Sequence, residues 1–280
     1  MTAVTIGAQP KLPFWRTLGQ SYAVWAKNLP ELIRISWLWL LVMLPIVAIT
    51  MYWQVPHFAE LMQAARSGKP LQGPPSIIFV LAGVLNQIIM LPMLSSIAVA
   101  WHRLLLRDEH VAPGAYLRFD NVVGGYAVLL FVIGLITQSP QLVSQLIQSA
   151  MGPSANPLGA TTWIGFAFTM LSLVTLFISA RLSLVLPAKA LGRGDVTLGT
   201  AWHATRRNTW RLFWGYMFSV LPWGAIAGGL SFVLFSSDRS PLSITAIWTL
   251  LSLVWIIAGM ISVGFLSLSY RHFFEQNGAR

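Results

Sequence analysis

The sequence predicts an all-α polytopic membrane protein with six transmembrane helices and both termini on the cytoplasmic side. It also predicts three pseudo-repeats, each a cytoplasmic interfacial helix followed by a transmembrane hairpin. Three observations lead there. Charged residues make up 9% of the 280-residue chain and hydrophobic residues 56%, against about 25% charged in an ordinary soluble domain. Six apolar runs reach or approach the roughly 20 residues that a hydrocarbon core of about 30 Å demands of a helix. Of the eighteen Lys and Arg residues, all but Arg66, Lys69 and Arg239 then fall on one side of those runs, as the positive-inside rule requires.

Taken in chain order, residues 1–13 lack the apolar core of a cleavable signal, so the first span is expected to remain as an anchor. Leu18, Tyr22, Trp25 and Leu29 share one helical face, with Arg16, Gln20 and Lys27 facing elsewhere, which predicts an amphipathic interfacial helix. Spans are expected at 33–53 and 77–101. The third run, 122–137, is short, so its helix should begin nearer Tyr116 or continue toward Gln141. Runs at 163–186, 212–235 and 242–270 complete the six. Phe58, Leu61, Met62 and Ala65 share a face, as do Leu142, Leu146 and Ile147, predicting short helices lying on the outer surface. Within the spans, Pro45, Pro92 and Pro222 suggest kinks. Asn86 and Gln87 suggest hydrogen bonds across helices, and Gly224 with Gly228 suggests a close approach used for internal packing.

A repeat runs at an offset of 180 residues. Thr17, Leu18 and Gly19 recur as Thr197, Leu198 and Gly199; Tyr22 pairs with Trp202, Lys27 with Arg207, Asn28 with Asn208 and Leu32 with Leu212, the signature of a duplicated unit. Asp195 is the expected N-cap of the second copy. Trp101, His102, Arg103 and Leu104 close the second span in the order aromatic, basic, basic, apolar, and Tyr270, Arg271, His272 and Phe273 close the sixth in the same order. The chain is thus expected to be a single membrane domain, 1–280, with units near 11–110, 111–194 and 195–280. Parallel repeats of this kind occur in transporters, although any set of hairpins with basic inner linkers would show similar spacing.

The segments TLGQSYAVWAKN (17–28) and TLGTAWHATRRN (197–208) resemble the membrane domain that precedes the catalytic barrel of some bacterial glycerophosphodiester phosphodiesterases. AVAWHRLLLRDE (98–109) and ARLSLVLPAKALGR (180–193) resemble small stand-alone six-span bacterial membrane proteins. The resemblance implies a fold and a bacterial inner membrane. It implies no reaction, because the phosphodiesterase chemistry belongs to a soluble barrel that this sequence does not contain.

The chemistry-bearing residues narrow function further. With no Cys in the chain, disulfides, thiolate metal sites and thiol nucleophiles are excluded. The net charge of +10 does not point to nucleic acid, since the cations flank apolar runs instead of lining a polar surface. All the acids map to loops or span ends, and His102, His203 and His272 are expected at the inner face with no metal-ligand spacing. Neither acid nor histidine is therefore expected within a span, where such groups mark catalysis or ion coupling. No catalytic residue, cofactor or metal is expected.

What remains is an anion-binding rim. Arg181 falls inside an apolar run and suggests either a lipid phosphate or partner carboxylate at that depth, or a helix-end Arg that snorkels to the interface. Arg206, Arg207, Trp210, Arg211 and Trp214 form the densest cationic and aromatic cluster, with Arg103 and Arg271 at neighbouring span ends. Guanidinium forks suit phosphate and tryptophans suit headgroup depth. The expected function is a non-enzymatic inner-membrane scaffold or accessory subunit that binds anionic phospholipid, with a membrane-protein partner or a second copy of itself. The alternative is a transporter of small solutes or lipids.

Overall fold

The computed structural model describes residues 11–67, 77–112, 116–151, 158–235 and 240–275; the expectations for Lys69 and Arg239 lie outside them. Every element among the described residues is helical. In chain order these are α1 (Phe14–Lys27), α2 (Leu29–Ser67), α3 (Ile77–Arg107), α4 (Asn121–Met151), α5 (Leu158–Leu182), α6 (Val185–Ala190), α7 (Leu198–Ala204), α8 (Thr209–Phe235) and α9 (Pro241–Tyr270), with a π turn at Arg271–Glu275. Six of them, α2 to α5, α8 and α9, carry segments long and apolar enough to cross a membrane. The chain is a multi-pass membrane protein.

Several boundaries differ from the sequence expectation, each for a local reason. The third span begins at Asn121, not near Tyr116, because the Asp120 carboxylate accepts the free N–H groups of Val122 at 3.1 Å and Val123 at 2.9 Å and fixes the first turn. It then continues past Gln141 to Met151. The outer segments expected as separate surface helices are instead continuations of α2 and α4, whose helical assignment is unbroken at Pro56 and Pro140. At 39 residues, α2 extends about 58 Å, far beyond a hydrocarbon core. Asp195 is not the N-cap of α7. Thr197 caps it in a reciprocal box with Thr200, while Asp195 is held by Arg193 at 3.0 and 2.5 Å. No helix occurs among the described residues between Arg107 and Asn121, so the middle unit lacks there the interfacial helix that α1 and α7 supply to the others.

Each span packs against the next in chain order: α2 on α3, α3 on α4, α4 on α5, α5 on α8 and α8 on α9; α9 then returns to α2 and closes a ring. Across this ring α3 also touches α9. On one side of that crossing, Met43, Met93, Trp101 and Met260 fill the space between α2, α3 and α9. On the other side, α3, α4, α5, α8 and α9 surround a cavity of about 570 Å³. Close packing of α8 on α9 requires Gly215, where an added Cβ would lie 1.9 Å from Phe265 Cζ.

Three expectations about the spans fail. Gly224 and Gly228 have nothing within 4 Å of an added Cβ, so their face is turned away from internal packing. Asn86 Oδ1 is buried with no partner and Gln87 is exposed, so neither bridges helices among the described residues. His102 is not a rim residue: it is 0% exposed, enclosed between α3, α4 and α9.

Candidate functional site

Most of the arginines singled out from the sequence do structural work at helix ends. The last carbonyls of a helix have no intrahelical partner, and cationic donors stabilise them. Arg103 Nε donates to Ala190 O at 2.8 Å and Arg107 Nη2 to Leu191 O at 2.8 Å, which together close the end of α6. Arg271 donates to Leu105 O in the last turn of α3. Arg181, 8% exposed, donates to Trp202 O in α7 and, at 3.0 Å, to Thr205 Oγ1. Its guanidinium plane lies 3.5 Å over the Trp202 ring. These bonds join segments 21 to 166 residues apart in sequence.

Arg211 binds a carbonyl that lies outside any helix, that of Leu12, and this bond builds the candidate site. Leu12, fully buried, has its N–H accepted by Asn208 Oδ1 at 2.8 Å and its carbonyl bound by Arg211 Nη1 at 2.6 Å. That double clip lays the start of the chain across the turn between α7 and α8. Further along, Tyr22 donates to Phe218 O at 2.9 Å, so α1 lies along the first half of α8. The seam between them opens as a cleft of about 520 Å³ lined by Phe14, Trp15, Trp210, Arg211, Trp214 and Phe218. Its walls are mutually packed rings: Trp15 to Phe218 at 5.9 Å, Trp214 to Phe218 at 5.7 Å and Phe14 to Phe218 at 6.1 Å between centroids. Trp15 and Trp210 remain 72% and 64% exposed.

On the turn that precedes α8, Arg206 and Arg207 are exposed and make no side-chain hydrogen bond to another described residue; neither lines the cleft, and the Arg206 charge acts on Arg181. Of the eight residues proposed from sequence, Trp210, Arg211 and Trp214 line the cleft, while Arg206 and Arg207 stand on the turn before it. Arg103, Arg181 and Arg271 are committed to carbonyls elsewhere. Phe14, Trp15 and Phe218 were not singled out from the sequence. Their signal was present in the adjacent aromatic pair beside Arg16 just after Pro13, and in Phe218 one turn beyond Trp214.

A second polar assembly lies inside the bundle. His102 Nδ1 is 2.7 Å from Ser267 Oγ, and His102 Nε2 is 3.2 Å from the Tyr126 hydroxyl. Among the described residues, no group of three His, Asp or Glu side chains could hold a metal ion. Outside the spans, Arg193, hydrogen-bonded to Asp195, holds that carboxyl below the ordinary carboxylate range.

Six apolar helices in a closed ring make the chain a multi-pass α-helical membrane protein. No protein family, no curated protein and no solved structure matches the chain.

Proposed function

We propose that this chain is a non-enzymatic protein of a bacterial inner membrane, with both termini cytoplasmic, that holds an anionic phospholipid in the α1–α8 cleft. It acts there as a scaffold or accessory subunit for a membrane partner or a second copy of itself. The observation that carries the reading is a ring-walled apolar cleft on α8, just after the turn that exposes two guanidinium groups, Arg206 and Arg207. The aromatic walls suit an acyl chain and glycerol backbone, and the arginines suit the phosphate. Each cation near an anionic leaflet contributes about 1 kcal/mol, so the pair favours anionic over zwitterionic lipid by roughly tenfold or more. Arg211 is excluded from that sum because it already binds Leu12.

Gentle solubilisation followed by native mass spectrometry tests this. The protein is expected to retain anionic phospholipid, and R206Q/R207Q to lose it while keeping its fold. Retention unchanged by the double substitution would reject the cleft as the site. Stoichiometric copurifying protein would support the scaffold role. The internal cavity favours a second reading, transport of a small solute or lipid, for which reconstituted protein should accelerate movement across liposome membranes.

A further inference from the structure

The cavity between α3, α4, α5, α8 and α9 is separate from the rim and the cleft. It is lined from Tyr126 to Gln138 on α4 and from Ser252 to Leu266 on α9, which at 1.5 Å per residue makes it about 18–21 Å tall. With a volume of about 570 Å³ it is a narrow slot along the helices, the shape of a chain. No charged side chain and no histidine lines it, so an ion or a charged headgroup would find no counter-charge there.

Apart from the exposed Gln138 amide at one end, the polarity of the slot comes from hydroxyls, and most of their protons are already used within their own helices. Thr137 donates to Ile133 O at 2.9 Å, Ser183 to Ser179 O at 2.7 Å, Ser252 to Trp248 O at 3.0 Å and Ser262 to Ala258 O at 3.1 Å. Tyr126 and Tyr216 differ. In the tautomer in which His102 carries its proton on Nδ1, it donates to Ser267 Oγ, whose own proton goes to Val263 O at 2.9 Å. A neutral imidazole that donates from Nδ1 accepts at Nε2, and there it takes the Tyr126 proton. In that tautomer Tyr126 faces the slot as an acceptor. Tyr216 lines the same slot, is 36% exposed, and its hydroxyl donates to no described residue. One tyrosine offers an acceptor and the other a donor.

We propose that His102 holds this tautomer and that the slot binds an uncharged long-chain alcohol. Its hydroxyl donates to Tyr126 Oη and accepts from Tyr216 Oη–H, and its hydrocarbon chain lies along Leu94, Leu130, Ile133 and Trp255. A hydroxyl is the smallest group that satisfies both tyrosines; an ether of the same chain satisfies Tyr216 alone. This site does not depend on the cleft or on Arg206 and Arg207.

The test uses the purified full chain, a photoreactive long-chain primary alcohol and the matching methyl ether as competitor. The alcohol should cross-link to slot residues on α4 and α9, and the ether should compete about tenfold less well, the value of one hydrogen bond at the upper end of its usual range. Tyr126→Phe should erase that preference, and Tyr216→Phe should weaken both ligands about tenfold. Because Tyr126→Phe also leaves His102 short of a partner, Gly259→Leu provides a second arm. Gly259 lines the slot with nothing within 4 Å of an added Cβ, so a leucine fills the space and removes a helix-interior glycine. Labelling of the slot should disappear with thermal stability held or raised. Equal affinity for alcohol and ether, binding retained by Gly259→Leu, or cross-links confined to outward residues such as Phe232 and Leu242 would each overturn the proposal. R206Q/R207Q should leave alcohol binding unchanged, which separates this result from that on anionic lipid.

Discussion

Gly215 and Arg181 show how single residues set the packing of this bundle. At Gly215 the Phe265 ring lies directly on the α8 backbone, with Cζ 1.9 Å from where a Cβ would be. Phe265 is itself 1% exposed, so the ring has no free space to retreat into. Gly215→Ala should therefore cost about 1–3 kcal/mol, the usual penalty of overpacking a filled core, read as a lower unfolding midpoint in detergent. Adding Phe265→Leu should recover part of the loss, because a smaller side chain frees the space that the methyl needs; no recovery would mean that the glycine matters for another reason. Arg181 works by the opposite logic, supplying donors where helix α7 ends. The sequence marked this arginine as anomalous, since it sits in an apolar run. Its actual partner, the carbonyl of Trp202, could not be read there, because backbone acceptors carry no signature in the side-chain sequence.

Helix α4 turns on its cap. Burial pushes the Asp120 carboxyl upward, but the N–H groups of Val123 and Val122 and the Arg118 guanidinium outweigh that and hold it below the ordinary carboxylate value. A folded value below the unfolded one means that the stabilisation is complete above the unfolded value, about 3.9, and is lost as pH falls through the folded one. Asp120→Asn keeps an acceptor oxygen but cannot titrate or pair with Arg118. The stability difference between wild type and Asp120→Asn should hold near neutral pH and shrink below about pH 4, measured by paired unfolding curves. A constant difference would mean that Asp120 is not the titrating cap. The six long helices were legible in the sequence because hydropathy summed over some 20 residues is a strong signal. Their ends were not, because a single carboxylate at Asp120 or a Thr197–Thr200 box decides them. The internal slot was visible only as fragments, such as Ser179 and Ser183 at four-residue spacing at the end of α5. Taken alone, such a pair fits hydroxyls bonded to their own helix, as Ser183 is to Ser179 O. It becomes a cavity wall only once the ring places α4, α8 and α9 opposite.

For the whole molecule, the arginine ties bear on orientation. Arg103 and Arg107 join the end of α3 to the end of α6, Arg271 joins the end of α9 to that of α3, and Arg211 joins the start of α8 to Leu12. These bonds gather the first described residues, the last ones and the linkers carrying most of the cations. Such a gathering fits the proposal of a common side for both termini, and the positive-inside rule is the ground on which that side is proposed to be cytoplasmic. Because the chain contains no Cys, single cysteines introduced at positions 68, 106 and 194 report on this without background. In intact cells a membrane-impermeant thiol reagent should label position 68 and leave 106 and 194 unlabelled until the membrane is opened. Labelling of 106 or 194 from outside, with none at 68, would invert the protein. Arg206 and Arg207 would then face the wrong leaflet for the cytoplasmic anionic surface, and the phospholipid proposal would fall with the orientation. The alcohol slot would stand, since nothing in its geometry depends on which side is which.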